Sequence, residues 1–324
     1  MDDMKNDEIS ILIVSRDRRN ELEHLVRDLH RMETSYSFEI IVVEETDHPR
    51  PIDGVKYVPH PVANFGIPYA RNLALAHASH EILVFLDDDC ILHEGWLDNL
   101  LEPFQDKSIL GVQGGVTVPE STNAIGWTES VLGVPGGGIA RVLRAKGDNE
   151  ATIQISTLNC AYRKWIVDQV GGFERSLKIT GEDYILAKQV CKHGRCLFVP
   201  KAMVSHHARG GLIKIWHWFI RRGRAEIDVI RSGKQEMTTI WTVMRSSLMI
   251  KLLFLLVFCA MFPPLIVYIF LGAFLAYTFL QYMRCYAIWR KSGAPFMTLA
   301  LLPVTKFTMD VAMDFGRLRG LLFD

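Results

Sequence analysis

The 324-residue chain lacks the short motifs of the commonest nucleotide-binding folds. No Gly-x-Gly-x-x-Gly follows its first apolar run, which disfavours a dinucleotide-binding Rossmann domain, and no Walker-type phosphate loop is present. Its six cysteines show no paired spacing, which favours a reducing compartment over a disulfide-stapled secreted domain. The first eight residues are acidic and polar, so we expect no signal peptide.

The net charge of zero hides an uneven distribution of charge along the chain. Residues 1–200 carry 20 Lys and Arg against 30 Asp and Glu, a balance of −10. Residues 201–324 carry 16 against 6, a balance of +10. Basic residues beside apolar stretches favour contact with an anionic membrane surface. Nucleic acid is the weaker alternative, because the basic residues are interleaved with long apolar runs, and we expect no nucleic-acid partner.

The first third of the chain alternates between short apolar runs and amphipathic segments. The predicted strands are Ile9–Val14, Phe38–Val43, Val55–Val58 and Ile82–Leu86. Three helices are predicted: one contains Leu22 to Leu29, the second begins at Pro68, and the third runs from Trp96 to Phe104. This order is typical of a doubly wound α/β fold.

The run Ile82–Leu86 leads directly into Asp87, Asp88 and Asp89. Five consecutive apolar residues indicate a strand buried on both faces, and open α/β sheets bind ligands at the carboxyl ends of such strands. Adjacent carboxylates repel one another, so a divalent cation such as Mg²⁺ or Mn²⁺ is one interpretation. A solvated acidic turn is the alternative for the triplet taken alone.

Further elements are expected downstream. Strands are predicted over Ile109–Val118, Thr152–Leu158, Leu197–Pro200 and Ala202–Ser205, and a helix is predicted to open at Gly181-Glu182-Asp183 and run through Val190. The glycine-rich stretch Gly133–Gly138 is expected to be a mobile loop, either a surface linker or a substrate lid.

The order of these features resembles glycosyltransferase family 2, a large inverting family with the GT-A nucleotide-sugar-binding fold. The resemblance covers roughly residues 8–225. The motifs that carry it are the strand at Ile9–Ser15, Glu39–Glu45, Asn64-x-Gly66 with Ala70-Arg71-Asn72, Phe85–Asp89, Asn159, Gly171–Glu174, Gly181–Asp183, and Pro200-x-Ala202-x-Val204-x-His206.

The resemblance implies roles for residues on the donor side. Ser15 and Asp17 would lie by the nucleobase, and Glu44 or Glu45 would hold the base or the ribose. Arg71 would help to hold the nucleotide. Two residues form the Asp-x-Asp element, and both are candidate metal ligands: Asp89 would bind the metal on the diphosphate, and Asp87 would also lie near the ribose, leaving Asp88 as a spacer. His206, or alternatively His207, would complete the metal ligands; a structural histidine at a strand end is the other interpretation of His206.

On the acceptor side, the resemblance implies that Glu182 and Asp183 form an acidic pair, with Asp183 as the catalytic base. An acceptor hydroxyl is a poor nucleophile and needs a carboxylate to take its proton. A solvated aspartate would be a mediocre base, so we expect Asp183 to be partly enclosed; alone, it could also be a helix cap. Arg222 and Arg224 resemble an Arg-Gly-Arg segment that could close over the diphosphate or rest on lipid headgroups.

The back of the chain is strongly apolar. From Leu252 to Met283 it holds 32 residues without a charge, which as helix would measure about 48 Å and exceed one crossing of a bilayer core of ~30 Å. Pro263-Pro264 divides the stretch into two predicted segments, Trp241–Phe262 and Leu265–Met283. Basic residues lie at both outer ends, which predicts a hairpin, or a shallower re-entrant hairpin, with both ends in the cytoplasm.

Phe296–Leu322 is also apolar but contains charges, so we expect it to be interfacial or packed against the hairpin. The predicted organisation is a GT-A catalytic domain over residues 1–225 and a membrane-associated helical region over 226–324, with the hairpin at about 241–283 and the interfacial segment at about 294–324. A buried soluble helical subdomain is the alternative.

Together, the resemblance and the apolar back half predict a metal-dependent inverting glycosyltransferase of the hexosyltransferase type. It would use a nucleotide-diphosphate sugar, with UDP favoured, and a lipid-linked or glycan acceptor. We expect it at the cell inner membrane, facing the cytoplasm, in polysaccharide or cell-envelope biosynthesis. A processive polysaccharide synthase is a rival, although Gln-x-x-Arg-Trp is missing after the catalytic part. The second rival is a non-catalytic membrane scaffold that kept the fold.

Overall fold

A computed structural model describes residues 9–63, 65–233, 237–260 and 263–323. Three features of the sequence lie outside these described residues: the acidic N-terminal segment before Ile9, Asn64 of the Asn-x-Gly motif, and Phe262. The chain packs as two compact units, Met1–Glu120 with Pro135–His207, and Ser121–Val134 with Ala208–Asp324. The predicted domain boundary after residue 225 falls within a helix of the second unit and stays a prediction.

The first unit is a sheet with helices on both faces. Its strands are β1 (Ile9–Arg16), β2 (Phe38–Glu45), β3 (Lys56–His60), β4 (Ile82–Asp87), β5 (Cys90–Leu92), β6 (Ile109–Thr117), β7 (Glu150–Ala151), β8 (Asn159–Arg163) and β9 (Arg195–His206). Its helices are α1 (Arg19–Arg31), α2 (Ile67–His77), α3 (Trp96–Leu101), α5 (Gly138–Arg144), α6 (Lys164–Val170) and α7 (Glu182–Val190), with a 3₁₀ turn at Glu102–Gln105. Helix α4 (Ala124–Val131) belongs to the second unit.

The sheet is mixed, with strand order β3-β2-β1-β4-β8-β6-β9-β5 and β7 paired with β9. Strands β3, β2, β1 and β4 run parallel, and β8 is antiparallel to both β4 and β6. The structure therefore confirms the predicted α/β architecture. The carboxyl ends of the four parallel strands meet along one edge, where ligands bind in open α/β sheets.

Alternation of side chains along the strands gives the sheet two apolar faces. On one face, Ile13, Val84 and Leu86 pack with residues of α1 and α3. On the other face, Val43 and Phe85 pack with residues of α2, α6 and α7. We call these the α1 face and the α2 face.

Two strand predictions need correction. Thr152–Leu158 alternates like a strand, but the paired strand is the next segment, β8, which lies between β4 and β6. Ile155 and Leu158 of this loop are buried, while Ile153 is largely exposed, so its apolar side chains are covered only in part. Leu197–Pro200 and Ala202–Ser205 are parts of one strand, β9, whose register with β6 shifts between Gly114 and Gly115.

The second unit is helical. Besides α4 it contains α8 (Leu212–Arg231), α9 (Met237–Ser246), α10 (Leu248–Ala260), a 3₁₀ turn (Pro263–Leu265), α11 (Ile266–Ser292) and α12 (Phe296–Leu322). Helices α8 and α12 approach closely at two glycines. A Cβ on Gly223 would lie 2.1 Å from Met313 O, and one on Gly316 would lie 2.1 Å from Ile220 O. Small residues permit this close packing of helix backbones.

Two helices in this unit are long and apolar enough to cross a membrane: Pro263–Ser292, with mean hydropathy 1.9, and Phe296–Leu322, with mean hydropathy 1.3. The second is the segment that we expected to be interfacial or packed against the hairpin; its length and composition also permit a span, so that expectation stays a prediction. Within the predicted segment Trp241–Phe262, the described helices Ile240–Ser246 and Leu248–Ala260 bend by 61°. Such a pair is either a broken span or a re-entrant loop, so the hairpin and its re-entrant alternative stay predictions. The bend follows Ser246, and Ser247 Oγ accepts a hydrogen bond from Ile250 N at 3.2 Å, which caps the start of α10.

Asn159, at the start of β8, connects the centre of the first unit. Its side chain is fully buried, and its Oδ1 accepts a hydrogen bond from Trp96 Nε1 at 2.8 Å. Its Nδ2 donates to Gly115 O and to Ala202 O, both at 2.9 Å. The Asn159 side chain therefore makes hydrogen bonds to α3, β6 and β9 at once and connects these three elements.

We predict that Asn159→Ala lowers stability by about 2–4 kcal/mol, because a buried N–H and two buried carbonyls lose a partner. The melting temperature of the detergent-solubilised chain should fall by roughly 5–10 °C. Asn99→Ala is the matched control, since Asn99 makes a single local bond to Gly95 O and is only partly buried. Equal melting temperatures for the two variants would contradict the role of Asn159.

Candidate active site

The two faces of the sheet separate acidic residues that are neighbours in the sequence. Glu44 continues the α1 face, whereas Glu45 and Asp87 continue the α2 face, because side chains alternate along each strand. Asp88 follows the end of β4 in a turn. Strand register brings Val14 beside Asp87, and Glu45 beside both Arg16 and His60. The carboxylates predicted to form one site therefore divide between two sides of the sheet edge.

Asp87, Asp89 and His206 form a cluster that could hold a metal ion, with one ligand atom of each within 4.8 Å of the others. β4 ends at Asp87, and the register of β5 with β9 brings Cys90 beside His206. His206 Nε2 lies 3.0 Å from Asp89 Oδ1 and 3.7 Å from Asp87 Oδ2. The neighbouring His207 is exposed.

The polar atoms of this cluster fit a cation. Asp89 Oδ1 and His206 Nδ1 are buried and make no hydrogen bond to any of the described residues, although Oδ1 lies close to the imidazole. Burial disfavours a charged imidazole, but Asp87 and Asp89 outweigh it and raise the pKa of His206 to about 9. Burial would also raise the pKa of Asp89, but the close approach and charge of His206, with the charge of Arg18, lower it. The site thus attracts positive charge, and its oxygen and imidazole ligands suit a divalent metal.

Arg18 is a site residue that the sequence interpretation missed. Its Nη1 lies 3.0 Å from Asp88 Oδ1 and 2.5 Å from Asp89 Oδ2, so the Asp89 carboxylate is held by one oxygen and leaves the other toward His206. Burial raises the pKa of Asp88 to about 7, against the opposing charge of Arg18. Asp88 is therefore a buried partner of Arg18 rather than only a spacer. The basic residues directly after β1 were the available signal.

Arg71 connects the metal cluster to the acidic pair on α7. Its Nη2 lies 3.6 Å from Asp87 Oδ1, and its Nη1 forms a short ion pair with Glu182 Oε1. The guanidinium also lies 5.8 Å from the centre of the Phe173 ring. The structure thus brings together Arg71, Asp87 and Glu182, which lie far apart in the sequence.

The turn beneath Arg71 is held by the next residue, Asn72. Its Nδ2 donates to Phe173 O and its Oδ1 accepts from Phe173 N, both at 2.9 Å. Gly172 has φ +73°, and a Cβ there would lie 2.7 Å from Asn72 Oδ1. Two of the quoted motifs, Ala-Arg-Asn and Gly-Gly-Phe-Glu, therefore contact each other directly.

The acidic pair begins α7 after Gly181, which has φ +101°. Glu182 is buried, and burial raises the pKa of its carboxyl to about 7 while the charge of Arg71 opposes the shift. Asp183 is half-buried, and its Oδ1 accepts a hydrogen bond from Tyr184 N at 2.7 Å. The pair therefore consists of one carboxylate committed to Arg71 and one partly open to solvent.

The remaining acids near the predicted nucleobase differ in their availability. Glu44 Oε2 accepts from Arg19 at 2.8 Å and from the Tyr57 hydroxyl at 2.5 Å, so this carboxylate is occupied inside the protein. Glu45 has only longer contacts, 3.3 and 3.4 Å, with Arg16 Nη1.

Ser15 and Asp17 lie around the carboxyl end of β1. Ser15 is buried on the α1 face, and its hydroxyl makes no hydrogen bond to the described residues. The Asp17 side chain is 82% exposed, and its φ of +57° is uncommon for a residue with a side chain. Asp17 is therefore accessible at the loop, whereas Ser15 is covered.

Arg222 and Arg224 lie on α8, in the second unit. The Arg222 guanidinium lies 5.3 Å from the centre of the Trp218 ring. Their predicted contact with the diphosphate stays a prediction.

Parts of this chain are similar in sequence or in fold to known proteins. Residues 10–164 match the model of the family described as "Glycosyl transferase family 2". The pre-mycofactocin glycosyltransferase of Mycobacterium tuberculosis, in strains CDC 1551 / Oshkosh and ATCC 25618 / H37Rv, is 26% identical over 170 residues. The match covers 52% of this chain and 35% of that protein, so the chain aligns with about a third of the length of these relatives.

Among solved structures, the mannosyltransferase PcManGT from Pyrobaculum calidifontis, in complex with GDP-Man and Mn²⁺, has a TM-score of 0.57 at 16% identity. The superposition covers 98% of this chain and 88% of that one. GalNAc-T7 with UDP, GalNAc and Mn²⁺ has a TM-score of 0.50 at 16% identity, covering 64% and 44%. At this identity the likeness concerns the fold, and it confirms the predicted GT-A architecture.

We predict that His206→Ala weakens Mn²⁺ binding at least tenfold, about 1.4 kcal/mol, because it removes a buried ligand atom. Binding can be followed by electron paramagnetic resonance of free Mn²⁺ titrated with the full chain in detergent. His207→Ala is the matched control, since that neighbouring side chain is exposed. The assignment fails if the two variants bind Mn²⁺ equally.

Proposed function

We propose that the protein transfers a sugar from a nucleotide-diphosphate sugar to an acceptor hydroxyl. The premise is that residues 10–164 of this chain belong to glycosyl transferase family 2. The observation that carries the proposal is the continuous chain of contacts from the Asp87, Asp89 and His206 cluster through Arg71 to Glu182. The cluster that could bind a metal ion and the acidic pair at the start of α7 are thereby held together at one sheet edge.

In the donor half, Asp87, Asp89 and His206 would hold Mg²⁺ or Mn²⁺. Such an ion acts as a Lewis acid that stabilises the charge of a departing diphosphate. Arg18 orients Asp89 by binding its Oδ2. Contacts between a metal-binding side chain and another protein group fix the direction in which that side chain faces the metal. Both structural neighbours were solved with Mn²⁺, which supports the same class of ion here.

Asp183 is the better candidate for the catalytic base. Glu182 is buried against Arg71, so its carboxylate serves to balance a buried positive charge. Asp183, on the same helical turn, is half-buried and accepts only a local backbone hydrogen bond among those described. It would take the proton of the acceptor hydroxyl as that oxygen attacks the anomeric carbon. A single displacement of this kind inverts the configuration and needs no enzyme nucleophile.

We propose UDP as the nucleotide of the donor, from the resemblance described above. The two neighbours bind different nucleotides, GDP in PcManGT and UDP in GalNAc-T7. A screen of nucleotide sugars with Mn²⁺, read as a shift in melting temperature, tests this choice because a bound ligand stabilises the folded chain.

The acceptor would be lipid-linked or a glycan held at the membrane. Helices α10 and α11 expose most of their large apolar side chains, among them Phe254, Val267 and Phe274. Such a surface is costly in water and suits lipid. Basic residues near the outer ends of the apolar region, including Arg245 and Arg290, favour an inner-membrane protein with those ends in the cytoplasm.

Asp183→Asn should abolish sugar transfer, by at least a hundredfold, while leaving donor binding within about twofold, because the amide cannot accept a proton. Transfer is measured as nucleotide released with acceptor present, and donor binding by calorimetry. Asp168→Asn is the control, since this exposed aspartate pairs only with Lys164. Full transfer by Asp183→Asn would remove Asp183 from the role of base.

Phe274→Lys should reduce the share of protein that stays in the membrane after a carbonate wash, because a charge in the middle of a span costs about 3 kcal/mol. Phe274 is 61% exposed on α11, away from contacts that a lysine would break. Trp165→Lys is the control, since Trp165 is similarly exposed but lies on α6 of the first unit. If both variants sediment with the membrane alike, α11 is not the anchor.

A further inference from the structure

Three aromatic side chains form what we call the aromatic patch: His60 at the end of β3, Phe65 in the loop that follows, and Tyr69 on α2. The rings of Phe65 and Tyr69 stack with centres 4.5 Å apart and planes 30° apart. The His60 ring lies edge-on to Tyr69 at 5.5 Å and tilted against Phe65 at 6.3 Å. Phe65 is 45% exposed and Tyr69 is 42% exposed, so the stack presents ring surface to solvent.

The patch lies on the same side of the sheet as Asp87. His60 pairs in register with Glu45, which pairs with Arg16 on β1. Val58, two residues before His60, packs on the α2 face, and α2 itself carries Tyr69 and Arg71. The patch therefore continues the edge that begins at the metal cluster and passes Glu45.

His60 adds a polar atom that lacks a partner. The side chain is 7% exposed, and its Nε2 is buried without a hydrogen bond to the described residues. Its Nδ1 lies 3.2 Å from Pro61 O. A buried nitrogen without a partner is costly, so its presence among exposed rings indicates a site that is completed by a ligand.

We propose that the aromatic patch binds the nucleobase of the donor, with the base stacked on Tyr69 and Phe65 beside Glu45 and His60. This inference rests on the proposed function and names residues for base recognition that lie beyond the β1 and β2 ends. Aromatic faces accept any base by stacking, and a neighbouring carboxylate and imidazole supply hydrogen bonds to its edge.

The position and charge of the patch favour the base over other parts of the substrates. Strands β4 and β3 are separated by three strand spacings, roughly 14 Å, so a nucleotide with its diphosphate at Asp87 would extend along the edge toward His60. Glu45 would repel a phosphate at the patch and accept a hydrogen bond from a neutral base. Glu44 is already occupied by Arg19 and Tyr57, which leaves Glu45 as the available acid of this pair.

The test compares ligands with and without a base on the full chain in detergent with Mn²⁺. Calorimetry measures binding of UDP, GDP and inorganic pyrophosphate to Tyr69→Ala and Phe65→Ala. We expect the Kd for the preferred nucleoside diphosphate to rise about 5- to 100-fold, the range for loss of one stacking partner. Pyrophosphate binding should stay within twofold, which also shows that the variant is folded.

Two further variants separate stacking from nonspecific effects. Tyr69→Phe keeps the ring and should bind like the unaltered chain. Trp165→Ala removes an equally exposed aromatic from α6 and should change nothing. If the unaltered chain binds neither UDP nor GDP, the proposed function fails. If it binds one of them and Tyr69→Ala and Phe65→Ala bind it equally well, the aromatic patch is not the base site; a rise only in the KM for the acceptor would also overturn the inference.

Discussion

The buried guanidinium of Arg71 is the constraint on which the site depends. A charge in this position needs partners, and the structure supplies Asp87 on the sheet edge and Glu182 at the start of α7. Its planar group can serve both carboxylates and still lie over the Phe173 ring. Asn72 fixes the turn that carries this ring through two backbone hydrogen bonds. The Asp87, Asp89 and His206 cluster and the acidic pair on α7 are therefore held at one spacing by adjacent residues of α2.

Acidic residues that are neighbours in the sequence lie in different surroundings at the sheet edge and have different ion-pair partners. Asp87 ends β4 on the α2 side, where Arg71 and the metal cluster lie, while Asp88, in the turn after the strand, pairs with Arg18. Glu44 and Glu45 lie on opposite faces of the sheet. In each pair, one acid forms a closer ion pair, Asp88 with Arg18 and Glu44 with Arg19. The other acid has a longer contact, with Arg71 or Arg16, and borders the edge where a ligand would bind. The internal pairs keep α1 attached to the sheet without occupying that edge.

The sequence predicts where the first four strands lie along the chain and the acids at two strand ends, because long apolar runs and their polar ends are local features. It also predicts Asp87, Asp89 and His206 as one cluster, through their family resemblance. The pairing of Arg18 with Asp88, and of Glu44 with Tyr57, depends on side chains meeting across elements, which no local pattern records. The strand predicted at Thr152–Leu158 is wrong for the same reason, since alternation alone does not say which segment enters the sheet.

The charges of α12 show how such contacts alter the interpretation of a segment. Charged residues within an apolar helix argue against membrane contact if each faces lipid. Here Arg317 binds Asp314 at 2.7 Å, Glu226 of α8 at 2.7 Å and Ser246 of α9 at 2.8 Å. Asp314 in turn accepts a hydrogen bond from Met249 N at the start of α10 at 2.8 Å. These groups satisfy one another inside the unit, while α12 exposes large apolar side chains such as Phe296, Val304 and Phe307 and, close to its C-terminal end, the charged Arg319. The charges thus join four helices of the unit, and they are no reason to keep α12 away from a bilayer.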